Sequence, residues 1–178
     1  MLKLLRNLKA LQKEEFGLRY AASEAMADSI QAGDRLVINV FKNDYKRGDI
    51  IAHKAAGKNV YVKRIIALPN EKVEIKTQKD SSTYIFVNDK KLDEPYVKDV
   101  FDYPECPSKE VNVQDDKTLK CAPIVVPKDS YYVVGDNRGR SYDSRYYGAV
   151  HKDLIKGVVS HIYYPIVRRK SFKTPEYK

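Results

Sequence analysis

The chain has 178 residues, a formal net charge of +9, and a hydrophobic fraction of 43%. This composition excludes a disordered or collagen-like polypeptide and is sufficient for one medium-sized core. The positive charge favours anionic surroundings, but acidic residues are scattered among the basic ones, so a solubilising surface explains it as well. Because the sequence contains no RNA-binding or DNA-binding motif, nucleic acid is not an expected partner.

The first segment, MLKLLRNLKALQKEEF (residues 1–16), has five leucines at roughly helical spacing with basic residues between them. This pattern predicts a basic helical arm over residues 1–20, which could lie on a membrane surface or pack on the domain or a partner. Charges interrupt any apolar stretch, so the segment is not a secretory signal. No window reaches the ~20 apolar residues that a bilayer span needs.

Strand-like sequence, rich in β-branched and aromatic residues, begins after residue 34. Turn signals separate the predicted strands, and a polar, proline-containing stretch interrupts them between residues 89 and 123. We therefore expect a mostly β protein whose antiparallel strands form a partly closed or folded-over sheet, preceded by one helix. The predicted strands are 35–40, 49–53, 59–68, 72–77, 83–88, 122–126, 130–135 and 157–165.

Four regions follow from this pattern. The helical arm (1–20) precedes a β core made of residues 21–77 and 122–168. A polar inserted subdomain, residues 78–121, interrupts the core, and a basic, loose tail covers residues 169–178.

The two cysteines, Cys106 and Cys121, flank a polar, turn-rich segment of the predicted insertion. A disulfide between them would stabilise the fold by roughly 3 kcal/mol in the chain-entropy model and would indicate an oxidising compartment. Two unpaired thiols are the alternative, because sequence does not give the geometry that a disulfide requires.

The segment YVKRIIALPNE (61–71) places a lysine within a predicted strand. Side chains alternate between strand faces, so Lys63 shares a face with Tyr61 and Ile65. If that face is covered, burial lowers the pKa of Lys63, and the neutral amine can act as a general base. The alternative is a structural lysine that snorkels from a strand edge.

The segment GDNRGRSYDSRYYG (135–148) is richer in polar groups than a turn requires. Gly135 has no Cβ, so its backbone can approach another group closely. Asp143 and Arg145 could pair and hold the loop, and Ser141 could hydrogen-bond an amine.

These two segments, together with SEAMADSI (23–30), resemble in order and spacing the signature boxes of the bacterial type I signal peptidases. The segments VNDKKLDEPYV (87–97) and KRGDII (46–51) are also similar to that family, and the resemblance spans roughly residues 21–165. The family removes signal peptides from exported proteins with a serine and a lysine. The resemblance implies a signal-peptidase-like β fold, a signal peptide or another extended peptide as the bound partner, and no cofactor.

The resemblance also assigns roles to individual residues. It makes Lys63 the general base, and Ser141 the hydroxyl that orients the lysine amine. Asp143 and Arg145 become the supporting ion pair. Ser23 matches the hydroxyl that assists the oxyanion hole.

The nucleophile position of the family falls on Ala25, and Met26 matches the methionine that follows it. Losing a catalytic serine costs on the order of 10⁶ in kcat in a well-studied serine protease, so we expect this chain to be inactive by the covalent route. Either an engineered change or natural divergence explains the alanine. Departures at Ala22 and Asp28, where the family has other residues, favour divergence.

Three functions remain open at this stage: a signal peptidase silenced at position 25, a module that captures extended peptides or partners an active signal peptidase, and a basic surface-binding domain. The family resemblance implies a location at the extracytoplasmic face of the bacterial cytoplasmic membrane, with surface contact through residues 1–16. Acids at Glu24 and Asp28 argue against deep insertion of the site rim into lipid. No metal is expected, because the three histidines lack ligand spacing.

Overall fold

The computed structural model describes residues 19–21, 23–27, 29–55, 59–78, 82–98 and 122–174. The predicted helix over residues 1–16, both cysteines and Asp28 lie outside the described residues. The end of the predicted helical arm is wrong, because Arg19–Tyr20 is a strand, β1, that pairs with the next strand of the chain. Among the described residues, no helix is long and apolar enough to span a bilayer.

Eight antiparallel strands form the larger sheet, in the order β1-β2-β11-β3-β4-β9-β10, with β12 paired to β11. The predicted mostly β, antiparallel architecture is therefore confirmed. Pairing does not close this sheet into a ring within the described part of the chain, and the partly closed barrel stays a prediction. Besides β1, the strands are β2 (Arg35–Asn39), β3 (Ile50–Lys54), β4 (Val60–Ala67), β9 (Ser130–Val134), β10 (Val150–His151), β11 (Ile155–Tyr164) and β12 (Lys170–Ser171).

The remaining four strands form a second sheet in the order β7-β6-β5-β8, also antiparallel. They are β5 (Lys72–Thr77), β6 (Thr83–Val87), β7 (Lys90–Lys91) and β8 (Ile124–Val125). The boundary that the sequence predicts at residue 78 runs through this sheet, because β5 lies before it and β6 after it. Alternating apolar residues of β5 and β6 form one core with residues of β4 and β9, which joins the second sheet to the first.

β4 and β9 are central strands, and this explains their nearly continuous burial. β4 lies between β3 and β9, and its last five residues are buried on both faces. One face packs with β3 and β11, and the other packs against the second sheet. The loop that follows β9 therefore starts from a buried strand end.

The tail is attached to the domain as far as residue 174, and the prediction of a loose tail is wrong for these residues. β12 pairs with β11, and Phe172 packs against the core that contains Leu36 and Ile162. The Thr174 hydroxyl donates a hydrogen bond of 2.7 Å to Asp49.

Candidate functional site

A groove of about 410 Å³ runs along the N-terminal half of β4. One wall is the loop between β1 and β2, which carries the SEAMADSI segment, and the other is the loop after β9. Its lining residues are Ala21, Ser23, Ala25, Met26, Ile30, Asn59, Val60, Tyr61, Val62, Lys63, Arg140 and Tyr142. Three segments far apart in sequence therefore meet at one cavity, as the sequence motifs predict.

Lys63 is buried, with 3% of its surface exposed, and it lines this groove. Because the Lys63 side chain is covered, the alternative of a lysine that snorkels from a strand edge is wrong. Burial lowers the pKa of Lys63 to about 8; the Asp143 carboxylate acts to raise it, and the Arg145 guanidinium acts to lower it further. The neutral amine, which a general base requires, is therefore the minor form at neutral pH and becomes the major form above about pH 8.

Asp143 and Arg145 form the ion pair that the sequence predicts. Arg145 donates to both carboxylate oxygens, from Nε at 2.8 Å and from Nη2 at 2.9 Å, and both side chains are fully buried. Asp143 also accepts from the backbone N–H of Gly135 at 2.9 Å, and it caps the short helix α1 (Ser144–Tyr147). Burial acts to raise the pKa of Asp143, but the Arg145 pair and the hydrogen bonds hold it below its usual range.

Ser141 is buried beside this pair. Its Oγ makes no hydrogen bond to Lys63 among the described residues, although it lies close enough to Asp143 to contribute to the lowered pKa of that carboxyl. The predicted role of Ser141 in orienting the lysine therefore stays a prediction.

Gly135 lets the backbone after β9 lie close to Ser141 and to the Ala25 carbonyl oxygen. A Cβ at residue 135 would lie 2.2 Å from Ser141 Oγ and 2.4 Å from the carbonyl oxygen of Ala25. Two residues later, the N–H of Asn137 donates to the same Ala25 carbonyl at 3.1 Å. The backbone after β9 therefore fixes the peptide group of residue 25.

The residues around position 25 are held at different depths. Ala25 is buried and lines the groove, whereas Ser23 is exposed at the groove wall. Met26 packs in the core and accepts a weak hydrogen bond on Sδ from the N–H of Asp136, at 3.4 Å. Ser29, the other nearby hydroxyl, is buried and accepts from Arg64 at 3.2 Å, so it does not face the groove.

Sequence reasoning missed a second buried ion pair next to the site. Arg64 donates to both oxygens of Asp136, at 2.8 and 2.6 Å, and to the carbonyl of Gly48. Its guanidinium also lies 4.0 Å from the ring centre of Tyr96. A signal existed, since Arg64 adjoins Lys63 in a strand that is otherwise apolar, but its partner is 72 residues away.

A third buried ion pair links the two sheets. Arg138 donates to the backbone carbonyl of Gly135 at 2.9 Å and to both carboxylate oxygens of Glu94. Glu94 belongs to the LDEPY segment that follows β7. The second sheet therefore supports the loop that carries Ser141 and Asp143.

Polar aromatic residues surround the Lys63 side of β4. His53 is buried on β3 opposite Tyr61, and its Nδ1 is 2.9 Å from the carbonyl of Lys54. That contact assigns the proton to Nδ1, so Nε2 accepts from the Tyr147 hydroxyl at 3.3 Å. Burial lowers the pKa of His53, and nearby Lys63 lowers it further.

At the groove mouth, the exposed side chains of Glu24 and Arg140 form an ion pair. Within the described residues, no cluster of histidine, cysteine and carboxylate side chains could hold a metal ion.

The chain matches the family model described as "Signal peptidase, peptidase S26" over residues 11–164. It is similar to signal peptidase I P of Bacillus subtilis subsp. natto, with 36% identity over 155 residues, covering 84% of this chain and 78% of that protein. Signal peptidase IB of Staphylococcus aureus is 32% identical over 158 residues, covering 86% of this chain and 80% of that protein.

Among solved structures, the chain is similar to a signal peptidase I from Enterococcus faecalis V583, with 32% identity and a TM-score of 0.48, covering 65% of this chain and 96% of that one. The family match spans most of the chain, and the sequence relatives cover more than two thirds of it. The chain therefore belongs to the bacterial type I signal peptidases, the serine endopeptidases of the peptidase S26 family.

Proposed function

We propose that this chain keeps the substrate groove and the lysine base of a Ser/Lys signal peptidase, but that it lacks the attacking oxygen because residue 25 is alanine. The observation that carries the proposal is that a buried lysine, with a pKa lowered to about 8, and Ala25 line the same groove. A methyl group cannot form an acyl-enzyme, so the chain does not cleave by the covalent route.

The rest of the machinery supports a change confined to the nucleophile. The Asp143–Arg145 pair and the fixed carbonyl of residue 25 are in place. With serine at position 25, Lys63 would take the hydroxyl proton, and the backbone N–H of residue 25 and the Ser23 hydroxyl would stabilise the oxyanion. Ser141 would orient the lysine amine.

The substrate class follows from the family. We propose that the groove receives the extended end of a signal peptide from an exported preprotein, with small residues before the scissile bond (A-x-A-like). Val60 and Val62 line the groove on the same strand as Lys63, and Ala21 and Ser23 form the facing wall. An extended peptide laid between these segments would add a strand by backbone hydrogen bonds. The membrane location, at the extracytoplasmic face, is part of the same proposal.

The test restores the missing oxygen. The wild-type chain, A25S and A25S/K63M are incubated with a signal-peptide substrate, and the products are identified by mass. We expect cleavage at the A-x-A-like site by A25S alone. A25G serves as the matched control, because it changes the same position without adding a hydroxyl. Failure of A25S to cleave a substrate that it binds would contradict the proposal.

A second function, peptide capture without cleavage, is favoured by one observation. The groove of about 410 Å³ is present although Ala25 removes the chemistry. Such a chain would act as a peptide-binding relative or as a partner of an active signal peptidase. Fluorescence anisotropy of a labelled signal peptide measures this directly. Y61A and Y142A, which shorten two groove-lining side chains, should weaken binding, whereas Y84A, on β6 of the second sheet and outside the groove lining, should not.

A further inference from the structure

Both tyrosines that line the groove are supported by one buried histidine. His53 is 2% exposed on β3, and its ring meets the Tyr61 ring edge-on, with 6.0 Å between the ring centres. Its ring centre also lies 6.1 Å from that of Tyr147, which packs edge-on against Tyr142 at 5.4 Å. Tyr61 and Tyr142 line the groove, whereas His53 and Tyr147 do not. The histidine therefore lies behind the groove wall and contacts one of its tyrosines directly and the other through a single ring.

The hydrogen bonds of His53 require a neutral imidazole. Its Nδ1 lies 2.9 Å from the carbonyl oxygen of Lys54, so Nδ1 carries the ring proton and donates it there. Nε2 is then the acceptor for the Tyr147 hydroxyl at 3.3 Å. Burial raises the pKa of Tyr147, so the hydroxyl keeps the proton that it donates. A proton added at Nε2 would remove this acceptor, because both nitrogens of an imidazolium are donors.

The groups that face His53 also oppose its protonation. From β4, Tyr61 and Lys63 lie on the face that meets it, and the residue registered with it on β11 is the apolar Ile155. Burial lowers the pKa of His53, the Lys63 ammonium lowers it further, and the hydrogen bond to the backbone acts to raise it. In the described part of the chain, no carboxylate forms an ion pair with His53, and Asp143 of the same site is held by its own arginine. An imidazolium here would therefore be a second buried cation beside Lys63.

We propose that His53 is a positioning residue for peptide binding: the neutral imidazole holds Tyr61 and Tyr142 at the groove, and its protonation in mildly acidic solution loosens both tyrosines and weakens binding. The inference rests on the proposed function, because it adds a pH-dependent control to the same groove, but it does not depend on residue 25. A histidine that only fills the core would give a groove whose response to pH is the same without the imidazole.

The first test needs no peptide. The full-length chain, with ¹³C-labelled histidine and tyrosine side chains, is titrated by NMR between about pH 5 and 8, and H53F, Y61F and Y142F identify the signals. We expect the ring signals of Tyr61 and Tyr142 to shift with the same midpoint as His53. These shifts should be absent from H53F. In Y147F, which keeps the ring, the His53 midpoint should move to higher pH, because the neutral imidazole loses its donor.

The second test measures the anisotropy of a rhodamine-labelled signal peptide that has blocked ends and no aspartate, glutamate or histidine, so that only the protein titrates in this range. The Kd of the wild-type chain should rise by about tenfold at one pH unit below the His53 midpoint, because only the neutral form binds. H53F should lose this dependence, and Y147F should move it to higher pH. H151Q is the matched control, because it removes an exposed histidine and should keep the wild-type profile.

Three results would overturn the inference. The first is tyrosine signals that do not follow the His53 titration, and the second is an equal acid-side loss of affinity in H53F. The third is a His53 midpoint that Y147F leaves unchanged or lowers, and this result decides the matter even if H53F does not fold. A chain that binds no peptide at about pH 8 contradicts the proposed function instead, and the NMR titration alone then decides whether His53 positions the two tyrosines.

Discussion

Replacing Lys63 with methionine should stabilise this protein at neutral pH. Burial lowers the pKa of Lys63 from 10.5 to about 8, so the folded state resists carrying the proton that the unfolded state accepts. At about 1.36 kcal/mol per pKa unit, the free energy of unfolding is lowered by about 3 kcal/mol at pH 7. Methionine has similar length and no charge, so K63M should recover up to about that amount.

The change of the unfolding free energy with pH follows from the protons that each state binds. Below about pH 8 the lysine is protonated in both states, and the cost is constant. Between about 8 and 10.5 the unfolded state binds more protons, so the stability of the wild-type chain rises with pH through this window. The advantage of K63M should therefore shrink from pH 7 to pH 10.

Urea denaturation at several pH values measures both effects. Other titrating groups are common to the two proteins and cancel in the difference between them. K54M is the matched control, because Lys54 is exposed on the adjacent strand, and it should change stability by less than ~0.5 kcal/mol. If K63M were no more stable than wild type at pH 7, or if the two curves ran parallel up to pH 10, Lys63 would not be a buried amine with a lowered pKa.

Two further predictions concern the loop after β9. G135A should destabilise the fold by about 1–3 kcal/mol and weaken peptide binding, because its Cβ would lie 2.2 Å from Ser141 Oγ and 2.4 Å from the Ala25 carbonyl oxygen. Thermal denaturation of G135A is compared with that of G139A, which changes an exposed glycine. Equal melting temperatures of the two variants would refute the prediction. D143N should cost about 3–5 kcal/mol by leaving buried Arg145 without its counter-charge, whereas exposed D153N should be nearly neutral in the same denaturation assay.

The sequence is sufficient to predict the long strands, because β-branched residues and turn signals mark them. β5 is predicted to the residue, and β2, β3, β4, β6 and β9 to within one residue at each end. Of the five two-residue strands in the described chain, β8 lies within the predicted strand 122–126, but β1, β7, β10 and β12 are not predicted, because two residues show no periodicity. Their pairing depends on tertiary neighbours rather than on local preference.

Long-range pairing is the information that local patterns lack. The division into two sheets, the order of strands and the Arg64–Asp136 pair all join residues that are far apart in sequence. Alternation places Arg64 on the opposite face from Lys63, which suggests that one of them is exposed. Both are buried, because β4 is covered on both faces.

The residues of the candidate site can be predicted from the sequence for a different reason. Its residues lie in three dense motifs whose order and spacing identify the family, and the groove brings segments of all three together. The pKa of the lysine could not be predicted in the same way, because burial lowers it and the Asp143 carboxylate acts to raise it, and only the folded chain creates both effects.

The pH profile of signal-peptide cleavage by A25S tests the central claim most directly. If Lys63 is the base and only the nucleophile is missing, kcat/KM should rise with pH and level off above a midpoint near the lysine pKa of about 8, and A25S/K63M should show no activity at any pH. Cleavage by A25S that is indifferent to pH between 6 and 10, or that persists without Lys63, would contradict the account.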